Sequence, residues 1–172
     1  DPAACNYDPL ATCDDGSCFA LAIGDTYQGG IVFYLDGNGG GLIAASSDQS
    51  ANAPWGCYGT SISGADGIAI GTGSQNTIDI LSECYTTPIA ADNCANLTSG
   101  GYSDWFLPSK DELNTMYVNL HSQGLGNFVI TGLYVTSTEN DAFSAWGQAF
   151  LNGVQNAYDK FEPHYVRAIR AF

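Results

Sequence analysis

The chain has 172 residues, of which 45% are hydrophobic and only 13% are charged, and its formal net charge is −14. A chain this rich in hydrophobic residues can build a folded core. The negative electrostatic field of its net charge repels nucleic-acid phosphates, anionic polysaccharides and anionic lipid head groups. Nucleic acid is therefore excluded as a partner, divalent cations are attracted, and no apolar run is long enough to predict membrane insertion.

Residues 1–20 form a separate segment that is rich in Cys and Asp and poor in core-forming side chains. A segment this short needs covalent or metal cross-links to hold a shape. Oxygen-bearing side chains around a glycine turn suit Ca²⁺, although the spacing is not that of an EF-hand loop. We predict either a disulfide-stapled acidic linker or a calcium site, with these candidate ligands: Asn6, Asp8, Asp14 and Asp15.

Six cysteines occur in a chain with few lysines and many glycines. An even number in such a chain predicts disulfides in an oxidising compartment, and no Cys-x2-Cys pair has the distal partner that zinc needs. Cys84 and Cys94 flank a short predicted helix and are the first predicted pair. Cys5 and Cys18 are also predicted in disulfides, but the sequence does not fix the pairing among the remaining four. The predicted location is extracellular or at the cell surface.

From residue 21 onward the patterns predict one α+β domain, which begins with strands. Residues 30–35 and 41–45 are β-rich runs on either side of a Gly/Asn/Asp turn, and this arrangement predicts a hairpin. Residues 48–76 are rich in Gly, Ser, Asn and Ala and predict a long loop around Trp55 and Cys57.

Helical signals occupy the middle of the chain, at residues 76–81, 88–97 and 110–121. The third is the best marked, because Ser109 and Glu112 have the spacing of a capping box and are followed by apolar residues at helical intervals. The aromatic run before it, which includes Trp105, is predicted to be core.

The last third is β-rich, with runs at residues 134–137, 144–150 and 164–172. Side chains alternate between the faces of a strand, so a continuous last strand would place Arg167 and Arg170 on opposite faces.

The order of these features resembles a known family. The matching motifs are Gly-Gly-Ile-Val-Phe-Tyr at 29–34, the segment 53–60 around Trp55, Gly-Thr-Gly at 71–73, an Ile-Ala-Ala helix reaching Cys94, the tract 102–113, Ser-Thr-Glu at 137–139 and the closing run 165–172. Residues 24–172 are similar to the Lcl C-terminal family (DUF1566), found in bacterial collagen-like adhesins and other surface proteins. Residues 1–18 resemble the Cys/Asp-rich segments between domains of secreted Bacteroidota proteins.

The resemblance implies a C-type-lectin-like fold, with small twisted antiparallel sheets, two to three short helices and disulfide staples. Composition and resemblance together divide the chain into a segment of residues 1–20 and a domain of residues 21–172. The resemblance also implies that the loops and strands of the C-terminal third form the ligand face. Aromatic rings there can stack on sugars, and amides and carboxylates can hydrogen-bond them. The candidate residues are Glu139, Asn140, Asp141, Trp146, Gln148, Asn152, Gln155, Asn156, Tyr158, Lys160 and His164.

A solvated β-hairpin surface without a ligand is the alternative for these residues. Calcium-dependent lectins use Glu-Pro-Asn or Gln-Pro-Asp, and the nearest string here is Glu162-Pro163-His164. Histidine is a poor Ca²⁺ ligand, so no lectin-type calcium site is predicted there. The sequence lacks the serine-hydrolase, phosphate-loop and zinc-protease motifs, and no enzyme is predicted.

The sequence and the resemblance together predict an extracellular adhesion or binding module that recognises a surface glycan or protein. The alternative is a structural subunit of an extracellular fibre or multimeric adhesin. Such subunits would self-associate through the N-terminal segment, joined by calcium.

Overall fold

A computed structural model describes residues 21–172 of the chain. The predicted calcium ligands and two of the predicted disulfide cysteines, which are Asn6, Asp8, Asp14, Asp15, Cys5 and Cys18, lie outside the described residues. Within the described part, the fold is mixed α+β, with two small sheets. Its strands are β1 Thr26–Tyr27, β2 Gly30–Leu35, β3 Gly41–Ala45, β4 Ser50–Ala53, β5 Leu133–Glu139, β6 Ser144–Ala149, β7 Gln155–Asp159, β8 His164–Val166 and β9 Ile169–Ala171. Its α-helices are α1 Gly73–Glu83, α2 Ala90–Ala95 and α3 Lys110–Asn119.

The first sheet contains four antiparallel strands in the order β1-β2-β3-β9. It confirms the predicted hairpin, because β2 and β3 pair along their length. The carboxylate of Asp36 accepts hydrogen bonds from the backbone N–H groups of Asn38 (2.7 Å) and Gly40 (3.0 Å). A short acidic side chain that bonds the backbone two residues ahead favours a turn, which explains why β2 ends there.

The second sheet contains five strands in the order β4-β8-β5-β6-β7. Only the β5–β8 pair is parallel. The sequence pattern does not indicate β4 and β7, because Ser, Asn, Gln and Ala have little intrinsic preference for strands. These two segments are extended because neighbouring strands supply their hydrogen-bond partners.

The prediction of one continuous strand over residues 164–172 is wrong. The chain leaves the second sheet after Val166 and joins the first sheet at Ile169. Arg167 lies at the break, where its buried guanidinium donates to the Asp48 carboxylate (2.7 Å) and to the Ala45 carbonyl (2.9 Å). The buried Arg167 guanidinium thus holds the chain together at the break between the two sheets, a role that strand alternation does not reveal.

Helices α1 and α2 differ in length from the prediction. α1 begins at Gly73, and the Thr77 hydroxyl donates to the Gly73 carbonyl (2.7 Å) inside the helix rather than capping its start. α2 is shorter than predicted, and the Asp92 carboxylate accepts from the backbone N–H of Ile89 at its start (3.0 Å).

Helix α3 confirms the predicted capping box. The Ser109 hydroxyl accepts from the Glu112 N–H, and the Glu112 carboxylate accepts from the Ser109 N–H (2.7 Å). The same carboxylate also accepts from the N–H of Gly71 (2.8 Å), which ties the preceding loop to this helix. Burial raises the pKa of Glu112, and the hydrogen bonds that its carboxylate accepts, first those from the N–H groups of Ser109 and Gly71, oppose that rise. This residue is therefore a structural carboxylate.

Two apolar clusters form the core. One packs α1 and α2 against the second sheet and includes Trp55 and Trp105, each 2% exposed. The predicted core position of Trp105 is confirmed. The other cluster packs α3 between the sheets and includes Phe33, Tyr134 and Phe150. Among the described residues, no helix is both apolar and long enough to cross a membrane.

Candidate functional site

A disulfide between Cys57 and Cys84 fixes the loop after β4 to the end of α1. The predicted Cys84–Cys94 pair is wrong. Helix α2 turns Cys94 into the apolar core, where it is fully buried and has no disulfide partner among residues 21–172. Gly56 lets the loop reach Cys84, because it has a φ of +99° and an added Cβ would meet Ile89 at 2.6 Å.

Three loops meet beside this disulfide, at the end of the second sheet where β5 ends and β6 begins. Backbone hydrogen bonds join them directly: Gly59 N–H donates to the Ala142 carbonyl (2.9 Å), and Gly56 N–H donates to the Lys160 carbonyl (3.0 Å). The Lys160 N–H in turn donates to the Phe143 carbonyl (2.9 Å). Residues 56–60, 140–143 and 160–163 therefore form one connected surface.

Each of these loops contributes one exposed aromatic side chain, and we call the three the aromatic loop cluster: Tyr58, Phe143 and Phe161. Their exposed fractions are 50%, 53% and 57%, which is high for large rings in contact with one another. The Tyr58 ring centroid lies 5.3 Å from that of Phe143 and 5.0 Å from that of Phe161, both edge to face. The rings support each other and still expose about half of their surface to solvent.

A groove of about 500 Å³ runs beside the aromatic loop cluster. Its walls combine apolar surface with hydroxyls and backbone groups, which suits a ligand that has both apolar and polar faces. The residues that line it are Pro54, Gly56, Cys57, Tyr58, Thr60, Thr86, Lys160 and Phe161.

A buried ion pair lies under the groove. The Lys160 ammonium contacts the Glu139 carboxylate, donates to the Thr60 carbonyl (2.8 Å) and lies 4.4 Å from the Trp55 ring centroid. Glu139 also accepts from the Ile62 N–H (2.9 Å). The side chains of Lys160 and Glu139 are 0% and 8% exposed. These two side chains hold the loops together. The prediction that they lie on an open ligand face is therefore wrong.

Gln148 is also fully buried and is removed from the predicted ligand face. Its side-chain amide donates to the Asn114 side chain (2.9 Å) and to the Gly153 carbonyl (3.0 Å). Gln155, directly opposite on β7, donates to the Lys110 carbonyl (2.9 Å). The N-terminal half of helix α3, through Lys110 and Asn114, thus covers this face of the hairpin.

Trp146 and Tyr158 lie on opposite faces of the β6–β7 hairpin and do not form one surface. Trp146 is opposite Ala157, whereas Tyr158 is opposite Ala145, one residue out of phase. Trp146 is half-buried and the Lys110 ammonium lies 3.2 Å from its ring centroid. The sequence did not reveal this separation, because the register of β6 with β7 depends on the turn that joins them.

The remaining predicted residues are spread over three places. Asn140 and Asp141 lie next to Phe143, in the turn that carries the aromatic loop cluster. Asn152 lies at the opposite end of the hairpin, where its side chain accepts from the Val154 N–H (3.1 Å). Asn156, Tyr158 and His164 lie on the face away from α3, with the Tyr158 and His164 ring centroids 5.5 Å apart.

Asp141 organises its turn. Its carboxylate accepts from the N–H groups of Phe143 and Ser144, both at 2.8 Å. These bonds, the first of them most strongly, hold the pKa of Asp141 below its usual value. This exposed carboxylate orients Phe143, so of the predicted residues it has the clearest link to the aromatic loop cluster.

His164 is half-buried, and its Nε2 atom has no hydrogen-bond partner among the described residues. Burial lowers the pKa of His164, and the Glu162 carboxylate 3.8 Å away partly opposes this. Protonation is thus less favourable in the folded state than in the unfolded chain, where the usual value is 6.5. The stability that His164 contributes is present above pH 6.5 and is lost as the pH falls through its lowered pKa.

We therefore expect the free energy of unfolding to decrease as the pH falls below 6.5, and the variant His164→Gln to lose part of this dependence. Proton NMR titration of the His164 ring should give a pKa below 6.5, because the buried ring is costly to charge. A measured value at or above 6.5 would contradict the expectation. His121, the chain's other histidine, provides the internal comparison in the same spectra.

All four cationic side chains of the chain lie against aromatic rings. Besides Lys160 and Lys110, Arg167 lies 4.1 Å from the Phe128 ring centroid and Arg170 lies 3.8 Å from that of Tyr102. Each arginine is also paired with a carboxylate, Asp48 or Asp104. Because the cations are occupied internally, the exterior is left with an excess of carboxylates, which favours neutral or cationic ligands over anionic ones.

Sequence reasoning missed Tyr58, Phe143 and Phe161. A usable signal existed, because each is a large ring within a turn among Gly, Asp or Glu neighbours, where no strand or helix pattern places the ring in the core. What the sequence does not contain is their proximity, since residues 58, 143 and 161 meet only through the disulfide and the loop hydrogen bonds.

The fold and the site define an α+β domain with two sheets and a disulfide-fixed aromatic surface. Comparison of the chain with protein-family models gives no match. Comparison with curated proteins gives none either. The geometry offers stacking faces and hydrogen-bonding groups at a groove, which is chemistry for binding. Two carboxylates in this region, Glu139 under the groove and Asp141 beside Phe143, are each held by structural partners.

Proposed function

We propose that residues 21–172 form an extracellular, non-catalytic binding module that recognises a surface glycan or a protein. The observation that carries this proposal is the aromatic loop cluster, three half-exposed rings beside a groove of about 500 Å³. Exposing so much aromatic surface is unfavourable for an isolated domain, and contiguous patches of this kind commonly mark interaction sites. The recognition site is thus at the loop end of the second sheet rather than on the hairpin face.

The rigidity of the site supports this function. The Cys57–Cys84 bond and the buried Lys160–Glu139 pair fix the loops before any ligand arrives. A preformed site avoids the entropy cost of ordering loops on binding, which otherwise weakens the affinity. The disulfide also supports the extracellular part of the proposal, since such bonds persist in oxidising compartments.

We also propose that residues 24–172 belong to the Lcl C-terminal family and have a C-type-lectin-like fold. Pairing of β9 with β3 supports it, since that fold joins the terminal strands in one sheet. Calcium is proposed only for residues 1–20. A structural subunit of a calcium-joined fibre is the competing function, and it would show filaments of native material in electron microscopy.

The experiment that tests the proposal is ligand binding by the variant Tyr58→Ala/Phe161→Ala. Glycan arrays and intact cells should bind the unmodified protein, and the double variant should lose at least about thirtyfold in affinity, as expected when central aromatic residues of a site are removed. Both side chains are at least half exposed, so the fold should tolerate the change.

The matched control is Ile78→Ala, a comparable truncation at a residue that is 56% exposed on α1. It should bind like the unmodified protein. Full binding by the Tyr58→Ala/Phe161→Ala variant would remove the basis of the proposed function.

A further inference from the structure

The end of the second sheet opposite the aromatic loop cluster is apolar and uncharged. Residues 113–138 and 142–158 contain no Asp, Glu, Lys or Arg, in a chain with a net charge of −14. These stretches meet where β6 ends, because the Phe150 N–H donates to the Gly132 carbonyl (2.9 Å). We call this surface the uncharged end and define it by four exposed side chains: Leu125, Ile130, Leu151 and Val154.

The uncharged end exposes large apolar side chains to solvent. Ile130 and Leu151 are 64% and 66% exposed, and Leu125 and Val154 are 41% and 46% exposed. Leu125 and Ile130 line a cavity of about 260 Å³ together with His121 and Phe128. The surface rests on a rigid base, since the Phe150 ring packs 4.9 Å from His121 and 5.1 Å from Phe128.

Three charged residues lie near the uncharged end: Arg167, Asp48 and Asp25. Arg167 lies beneath the cavity, donates to the Gly126 carbonyl (2.8 Å) and is neutralised by Asp48. Asp25 lies at the rim, where its neighbour Gly24 adjoins Leu125. The centre of the surface therefore presents side chains that gain free energy by leaving water, at about 25 cal/mol per Å².

We propose that the uncharged end binds the uncharged end of a second copy of this chain, forming a symmetric dimer. Two molecules of charge −14 repel each other, and their cations are held internally, so ion pairs cannot offset the repulsion. Contact between uncharged ends keeps the carboxylates of both copies apart. Contact between two aromatic loop clusters would instead bring Asp141, Asp159 and Glu162 of one copy against those of the other.

This dimer is independent of the proposed function and complements it. The two aromatic loop clusters would face outward at the far ends of the pair. A ligand surface that engages both sites would then be held with an avidity above the single-site affinity.

Sedimentation velocity of the full chain tests the proposal over about 1 μM to about 1 mM protein, where weak to moderate dimers become populated. We expect a monomer–dimer equilibrium that moves toward dimer as NaCl is added, because salt screens the mutual repulsion. Ile130→Lys and Leu151→Lys should each weaken the dimer at least about tenfold, since like charges would meet across the symmetry axis.

The lysine variants also reduce the net negative charge, so general repulsion alone would predict a tighter dimer. Ile78→Lys on α1 makes the same charge change at a similarly exposed residue and should leave the dimer unchanged or slightly tighter. Amide hydrogen exchange of the unmodified protein gives a second readout that needs no variant. Protection across residues 124–133 should increase with protein concentration.

The proposal is overturned if the protein is monomeric throughout, or if both lysine variants dimerise like the unmodified protein. It is also overturned if the variant Tyr58→Ala/Phe161→Ala no longer assembles, or if amide exchange at residues 124–133 does not depend on protein concentration. A dimer that survives a non-reducing denaturing gel would be linked by disulfides and would likewise overturn the proposal.

Discussion

Replacement of Lys160 by methionine should lower the free energy of unfolding by about 3–5 kcal/mol, the usual cost of leaving a buried charge without its partner. Lys160 is fully buried and Glu139 is 8% exposed. Without the ammonium, the Glu139 carboxylate keeps the Ile62 N–H (2.9 Å) as its one hydrogen-bond donor within residues 21–172, and the Thr60 carbonyl loses the donation from Lys160. Urea unfolding followed by fluorescence of the tryptophans measures the change.

The double variant Lys160→Met/Glu139→Gln separates the ion pair from simple loss of packing. It should recover much of the loss, because a neutral amide is far less costly to bury than an unpaired carboxylate. Lys110→Met is the matched control. Lys110 also lies over a ring, that of Trp146, but it is only half-buried, so its loss should cost less than about 1 kcal/mol. If the single and double variants were destabilised equally, the loss would come from the packing of Lys160 and not from leaving the Glu139 carboxylate without its partner.

The sequence predicted well those features that depend on neighbouring residues. The capping box of Ser109 and Glu112 and the turn at residues 36–40 each involve contacts within four positions. Local hydrogen bonding and glycine conformations decide such features, and the same residues would favour them in most folds. The hairpin of β2 and β3 and the position of α3 follow directly.

Features that depend on distant residues were predicted less well. Cys57 and Cys84 are 27 positions apart and pair because the chain folds back, whereas the predicted Cys84–Cys94 pair relied on proximity along the chain. Lys160 was assigned to the ligand face because the resemblance implies that the C-terminal third forms that face, whereas a lysine can be fully buried when it has a partner. Its partner Glu139 ends β5, whereas Lys160 follows β7, and only the tertiary fold brings the two together.

The candidate site shows the same division. Asp141 was identified and lies in a loop of the site, but its interactions are with the adjacent Phe143 and Ser144. The aromatic loop cluster was missed because its three rings come from loops far apart in sequence. The hairpin residues were assigned to one face, and the β6–β7 register divided them between two.

Opening the Cys57–Cys84 disulfide should lower the free energy of unfolding by about 3–4 kcal/mol, the loop-closure value for a sequence separation of 27. The variant Cys57→Ser/Cys84→Ser tests this by urea unfolding. The bond constrains the unfolded chain, and in the folded state it also holds residues 56–60 against α1. Both stability and the mobility of the site should therefore change.

Two amide protons distinguish these effects. The N–H groups of Gly56 and Gly59 bond the carbonyls of Lys160 and Ala142, the contacts that join the three loops. If the disulfide preorganises the site, both should exchange faster in the variant than the overall loss of stability explains, and ligand affinity should fall with them. Faster exchange only in proportion to global stability would mean that the loops hold themselves in place. The ion pair of Lys160 and Glu139 would then be the main restraint on the aromatic loop cluster, and Lys160→Met the variant that disrupts binding.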